Sequence, residues 1–414
     1  MIQRQLRVIA CCRRRQAFIT LRGTSNTNTR IASNIPKPRT YATTARTAIE
    51  DFYRPKRRTF GPWFIGFMGV GAAMAAYGGY VLYETLTMWP PEVRSDLRNA
   101  LTAKFKGDLD LSERYFHRAW LTIQTLPISS LGSLPYLKLT GVAVSLADVL
   151  EIANKPEQAY EICVQALDIL QSEDVKDQLG GQERLRGVAI AAKLGELAEE
   201  LHKPAEEEEK WKVWAVEEVL RVVKAESGNE GQAGQINLPM MALPKWITKA
   251  DVGAPLEALG AFYGRTGRLD YAMPLYLQAI SLLIPPAPKK ASVEDRCRGA
   301  QLMGSLSELL MRGPPSPERL HQAEAWASQA LAVITKARGE AGGTKIDTCE
   351  MAYAMALFNV AAFKEMANDK STARNLYKEG LAQSRAVGMQ EGIVEASEAL
   401  KRLDSENTTP KDKS

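Results

Sequence analysis

The feature that most constrains the fold is a compact unit in residues 256–283, LEALGAFYGRTGRLDYAMPLYLQAISLL. Two apolar stretches with helical spacing flank the turn-forming Gly267, and a small residue recurs on each stretch where helices must approach closely. The marking positions are Leu259, Gly260, Tyr263, Gly267, Ala272, Tyr276 and Ala279. Such a helix pair cannot bury its apolar face alone, so neighbouring pairs must stack on it.

These spacings are typical of the tetratricopeptide repeat (TPR), and weaker copies follow one another along the chain. One copy centres on Leu146 and Cys163, and another on Gly195 and Trp211. An earlier copy contains Gly107, Phe116 and Ala119, and two later ones contain Gly304, Ala323 and Ala330, and Ala361, Ala373, Tyr377 and Gly380.

Equivalent positions lie about 50 residues apart, which exceeds the roughly 34 residues of a standard repeat and predicts insertions. We therefore predict an all-α TPR solenoid of about six divergent repeats, with an unrelated helical bundle as the alternative. Its parts are N-terminal units at 91–224, a loop insertion at 225–250, C-terminal units with a capping helix at 251–403, and a disordered tail at 404–414. A second, shorter insertion is expected at 285–290.

The N-terminus has the composition of a mitochondrial transit peptide. Residues 1–49 contain no acidic residue and are rich in arginine, serine and threonine. Arg39, Tyr41 and Ala42 resemble a matrix-processing site, which predicts a transit peptide at 1–41 and a mature start at Ala42. A disordered basic tail is the alternative. Residues 1–41 hold nine basic residues, so the remainder has 44 basic and 48 acidic residues, which does not favour a nucleic-acid partner.

An uncharged stretch at 59–83 is long enough to cross a bilayer, so we predict one transmembrane helix. The basic residues just before it indicate that 42–58 is a short matrix segment, and that the C-terminal domain faces the intermembrane space. Gly71, Ala75 and Gly79 recur every four residues, which is typical of a helix packing face in a membrane. Ordinary membrane composition would produce the same spacing.

The sequence offers little that could carry catalysis. His117, His202 and His321 are far apart, and no zinc or phosphate-binding motif is present. Cys163, Cys297 and Cys349 are widely spaced, so neither a zinc site nor a disulfide framework is expected, and Cys163 is interpreted as a core residue. We predict no catalytic, cofactor-binding or metal-binding residue. The run at 206–209, EEEE, is interpreted as a solvated helix face, with an acidic contact site as the alternative.

A function must therefore come from the surface of the repeats. The clamp that grips a chaperone's C-terminal carboxylate needs a cation before the leucine-glycine pair, and an asparagine after it. Those places hold Val144 and Asp148, Ala192 and Glu196, and Glu257 and Ala261. A groove lined by apolar and acidic groups favours extended or amphipathic segments of partner proteins.

This combination of transit peptide, single span and repeat array resembles the fungal TPR adaptor subunit of the mitochondrial i-AAA protease complex. The resemblance implies a non-catalytic protein of the inner membrane that needs no cofactor. Its expected partners are the i-AAA protease, the protease's other membrane adaptor, and misfolded or surplus substrate proteins. A TPR receptor or assembly factor for an import or respiratory complex is the alternative, and an enzyme with an unrecognised site is a further one.

Overall fold

The computed structural model describes residues 74, 77, 88–226, 243–313 and 316–408. The predicted transit peptide, with Arg39, Tyr41 and Ala42, lies outside these residues. So does the predicted span, including Gly71, Ala75 and Gly79, apart from the helical Met74 and Tyr77. In the part of the chain that is described, no helix combines the length and apolar character that membrane crossing requires.

Thirteen long helices account for most of the described chain, and these residues contain no strand. In chain order they are α1 (Pro91–Lys106), α2 (Leu109–Thr125), α3 (Pro135–Ile152), α4 (Pro156–Gln171), α5 (Gly181–Glu200), α6 (Ala205–Glu226), α7 (Lys249–Arg265), α8 (Leu269–Leu283), α9 (Val293–Met311), α10 (Pro317–Glu340), α11 (Asp347–Met366), α12 (Lys370–Val387) and α13 (Gln390–Thr408). Short turns of helix lie at Ile128–Leu131 and Glu173–Lys176.

The helices pair into six hairpins followed by a capping helix, which agrees with the predicted number of repeats. α1 with α2 forms the first hairpin and α11 with α12 the sixth, and α13 packs on α12. In five hairpins the turn contains one residue with left-handed backbone, at Gly107, Asn154, His202, Gly267 and Asn368. Glycine and asparagine tolerate this conformation best, so the turn chemistry marks the repeat more clearly than the helices do.

The core of each hairpin follows from two positions counted from that turn residue. Nine residues after it stand Phe116, Cys163, Trp211, Tyr276 and Tyr377, all buried. Burying one such aromatic side chain contributes about 1.5–3 kcal/mol. On the facing helix Gly260 has room for no bulky group, because an added Cβ would lie 3.1 Å from the Tyr276 ring. The close approach expected at Gly260 is therefore present.

Two predicted boundaries differ from the structure. The first differs at the C-terminus, where α13 continues to Thr408 and so includes the first residues of the predicted disordered tail. Arg374 on α12 holds this extension, because its Nη2 donates to the Leu403 carbonyl at 3.0 Å and lies 2.9 Å from the Asp404 carboxylate.

The second difference concerns the predicted insertion at 225–250, which is helical at both ends. α6 runs to Glu226, and α7 already begins at Lys249. The early start of α7 has a local cause. Thr248 accepts from the Asp251 amide and the Asp251 carboxylate accepts from the Thr248 amide, which together form a capping box.

Candidate functional site: the first-helix face

The exposed sides of the first helices of the hairpins, α1, α3, α5, α7, α9 and α11, form what we call the first-helix face. Neighbouring first helices contact each other, as α3 does α5 and α9 does α11. Thirteen residues before the turn residue, Gly141, Ala189 and Ala254 lie half-buried or exposed on this face. Because these side chains are small, a partner's main chain can approach the helices closely.

Ion pairs join each first helix to the next along most of this face. They are Lys104 with Asp148, Lys193 with Glu151 at 2.7 Å, Arg265 with Glu199 at 2.6 Å, Lys249 with Asp295 at 2.9 Å, and Arg298 with Glu257 at 2.6 Å. Between α9 and α11, the Asn359 amide donates to Glu308 at 3.3 Å. Each partially exposed pair contributes about 0–1 kcal/mol, so the pairs set register more than stability.

Burial affects the pair in the middle of the first three hairpins. Desolvation raises the pKa of Glu151 above its ordinary value, although Lys193 donates to it. Burial lowers and the Glu151 carboxylate raises the pKa of Lys193, and the net direction is upward. Lys193 therefore keeps its charge at neutral pH.

These pairs correct one expectation about the groove. The sequence predicted a face lined by apolar and acidic groups, and it does contain Asp148 and Glu257 at the positions compared with the chaperone clamp. Both carboxylates are bonded to cations of a neighbouring hairpin, Lys104 and Arg298. The acidic character is therefore largely neutralised. The partners lie more than 40 residues apart in the chain, so local spacing could not reveal them.

The acidic run at the start of α6 was interpreted as a solvated helix face, and that interpretation is wrong for three of its four residues. Glu207 accepts from the Tyr160 hydroxyl at 2.5 Å, Glu208 accepts from Lys212 and Arg265 at 2.5 Å, and Glu209 accepts from Arg268 at 2.8 and 2.9 Å and from Tyr263 at 3.0 Å. The run joins the third hairpin to the second and the fourth. It is a structural junction between repeats.

A disulfide also departs from the sequence prediction, which expected none. Cys297 on α9 and Cys349 on α11 are bonded with an S–S distance of 2.02 Å, across a sequence separation of 52. Both residues are buried. Their pairing arises because the stacking of hairpins brings α9 against α11. The interpretation of Cys163 as a core residue is confirmed, since it is 2% exposed and burial raises its pKa to about 12.

The histidines do not assemble into a site. His202 is the left-handed residue of the third turn, and His117 and His321 are exposed on separate hairpins. Within the described ranges, no group of three or more histidine, cysteine, aspartate or glutamate side chains could hold a metal ion.

A second open surface lies on the opposite, second helices. It is a groove of about 420 Å³ beside Trp211 and Trp214 of α6, with Gln171 of α4 at its edge. Lys210 Nζ lies 4.2 Å from the centre of the Trp211 ring. Trp214 occupies a position that is alanine in the hairpins of Ala166 and Ala279, so this groove belongs to one repeat and does not continue along the array.

The repeating turn residues and stacked hairpins define an all-α protein of the TPR-like solenoid class. No known family's sequence profile matches this chain, and no curated protein matches it. Among solved structures, it is similar to BtubC (BKLC) from P. vanneervenii at 15% identity, covering 68% of this chain and 92% of that one, with a TM-score of 0.47.

Two further solved structures are similar over much of the chain. The apo form of the quorum sensor NprR from B. thuringiensis has 10% identity, coverages of 84% of this chain and 81% of that one, and a TM-score of 0.46. A putative kinesin light chain of P. anserina with TPR-like repeats has 14% identity, coverages of 61% and 97%, and a TM-score of 0.37. Each TM-score is below 0.5, so the fold class rests on the chain's own repeats.

Proposed function

We propose that this chain is a non-catalytic adaptor of the mitochondrial i-AAA protease complex, anchored in the inner membrane by one span. Its repeat domain would bind misfolded or surplus proteins of the intermembrane space and promote their delivery to the protease. The sequence resemblance suggests this particular complex.

The observation that carries the proposal is the first-helix face. It is continuous over several hairpins, presents small side chains at Gly141, Ala189 and Ala254, and has most of its charges paired within the protein. A surface without a strong field of one sign selects weakly by charge. Such a surface suits an adaptor that must accept many unfolded segments, because their main chains are alike while their side chains differ.

The disulfide supports the proposed compartment. Disulfides persist in oxidising environments and are rare where glutathione and thioredoxin keep thiols reduced. The Cys297–Cys349 bond closes two neighbouring repeats, and both of its sulfur atoms are shielded from solvent. A domain exposed to the intermembrane space, where proteins can be oxidised after import, is consistent with this bond.

The test is affinity purification from gently solubilised mitochondria, combined with turnover of an unfolded reporter in the intermembrane space. We expect an AAA protease to co-purify with the unaltered chain. Changing Ala189 and Ala254 to arginine should fill the first-helix face, slow reporter turnover and leave the protease bound. Ala325→Arg is the matched control, because Ala325 is an exposed alanine on α10, a second helix.

Two outcomes would reject the proposal. Recovery of an import or respiratory complex in place of an AAA protease would favour the alternative role as a receptor or assembly factor. Equal reporter turnover in the face variant and the Ala325→Arg control would show that the first-helix face does not bind substrates.

A further inference from the structure

One end of the first-helix face is apolar, unlike the rest. Phe105 on α1 is 87% exposed, Ile152 on α3 is 54% exposed, and Leu101 on α1 is 46% exposed. Large apolar side chains at such exposure cost free energy in water, and a cluster of them indicates an interaction site.

The repeat places these three side chains on neighbouring helices in one region. Phe105 and Ile152 each stand two residues before the left-handed residue of their turn, so they hold equivalent positions on α1 and α3. The bond from Lys104 to Asp148 ties the two helices together there. Ile152 lies one helical turn after Asp148, and Leu101 one turn before Phe105, on the same helix sides. We call Leu101, Phe105 and Ile152 the N-terminal patch.

The same row of the face changes character farther along the solenoid. Two residues before the turn, the third and fourth hairpins carry Glu200 and Arg265, both exposed, and Arg265 is ion-paired to Glu199. In the sixth hairpin Met366 is partly buried in the core. Along this row, large exposed apolar groups therefore occur in the first two hairpins and not in these later ones.

The charges beside the patch are also unlike those of the rest of the face. Arg98 stands two helical turns before Phe105 on the same side of α1, and Lys106 follows Phe105. Both are exposed, and neither forms an ion pair with a carboxylate of the described residues. Elsewhere on the face, Lys193, Arg265 and Arg298 are paired. An acidic group of a partner would therefore meet cations that have no other partner among the described residues.

We propose that the N-terminal patch is the anchoring site for an apolar segment of a partner protein that carries carboxylates on its flank. This inference rests on the proposed adaptor function and names the class of segment that the adaptor selects. The apolar side chains bury against Phe105, Leu101 and Ile152, and the flanking carboxylates pair with Arg98 and Lys106. The small side chains of the remaining face then receive the rest of the chain.

The test uses the full chain in lipid nanodiscs and fluorescein-labelled peptides that contain one Leu-Phe-Leu cluster. One peptide flanks the cluster with glutamates and its twin with lysines, and fluorescence anisotropy reports binding. Empty nanodiscs measure binding to lipid alone. We expect the glutamate peptide to bind at least about tenfold tighter than its twin, because unlike charges meet at Arg98 and Lys106.

Variants identify the surface. The double change Phe105→Ser and Ile152→Ser should weaken the glutamate peptide at least about tenfold, since most of the buried apolar area is lost. Arg98→Glu should reduce or reverse the preference between the twins. Leu277→Ser is the matched control, because Leu277 is 41% exposed on the second helix α8 and should leave both affinities unchanged.

The failure of this inference can be told apart from the failure of the proposed function. If the patch variants bind the glutamate peptide like the unaltered chain, while Ala189→Arg with Ala254→Arg abolishes binding, the patch is not the anchor but the face still binds clients. If neither set of variants changes binding, both proposals are wrong. Binding that equals that of empty nanodiscs in every case would assign the apolar cluster to lipid and overturn the inference.

Discussion

The disulfide between Cys297 and Cys349 should hold the fifth and sixth hairpins together. The perturbation is Cys297→Ala with Cys349→Ala, compared with the unaltered chain under reducing and oxidising conditions. Alanine replaces the buried sulfur atoms without introducing an unsatisfied hydroxyl group in the core. Because each repeat contacts only its neighbours, the effect should stay local to α9–α12.

The expected magnitude follows from the size of the closed loop. For cysteines separated by 52 residues, the chain-entropy relation gives about 4 kcal/mol of stabilisation. Every 1.4 kcal/mol is a factor of ten in an equilibrium constant, so local opening of these hairpins should become on the order of a thousandfold more frequent. This is an upper value, because the unfolded repeats retain some structure.

Hydrogen exchange read by mass spectrometry measures that opening segment by segment. Amides of α9 and α11 should exchange faster in the alanine variant and in the reduced unaltered chain. Amides of α3 and α4 serve as the internal control and should exchange at the same rate in all samples. Reductant should have no effect on the alanine variant, which contains no disulfide.

The reasoning would be refuted if the two thiols were shown to be fully reduced while exchange in α9 and α11 stayed unchanged. In that case the packing of the fifth and sixth hairpins alone would determine their stability.

Three further changes test the packing and electrostatics of the repeats. Gly380→Ala should destabilise the sixth hairpin by about 1–3 kcal/mol in urea unfolding, since the added Cβ would lie 2.7 Å from the Phe358 ring. Gly267→Ala should cost about 1 kcal/mol or more and Gly267→Asn less, because φ is +80° there and Asn154 adopts the equivalent left-handed turn. Burial raises the pKa of Glu395 to about 7 from the ordinary 4.5, so the folded state keeps a proton that the unfolded state releases. Stability should fall between those pH values, and Glu395→Gln should remove that fall and stabilise the chain above pH 7 by up to about 3 kcal/mol.

Each of these three expectations has a contrary result. Unchanged urea midpoints for Gly380→Ala would mean that the Phe358 ring can move aside. Equal costs for alanine and asparagine at Gly267 would show that the turn relaxes out of the left-handed region. A Glu395→Gln variant with the same pH dependence as the unaltered chain between pH 4.5 and 7 would assign that dependence to other groups.

Local chemistry was sufficient to recognise the hairpins. Gly260 and Gly267 lie seven residues apart, and a helix followed by a turn makes such spacing legible without any knowledge of distant contacts. The core role of Cys163 was predictable for the same reason, since its position repeats that of Tyr276. The leader at 1–41 and the span at 59–83 also rest on local composition, and they stay predictions.

The contacts between hairpins were decided by tertiary structure. The Cys297–Cys349 bond and the pairing of Glu257 with Arg298 join residues that lie far apart in the chain, and they depend on how neighbouring hairpins rotate against each other. A run of glutamates looks the same in sequence whether it is solvated or bonded, so the role of Glu208 could not be read locally. Periodicity reports which side of a helix is buried, whereas only the stacking of repeats determines which side chain each charge meets.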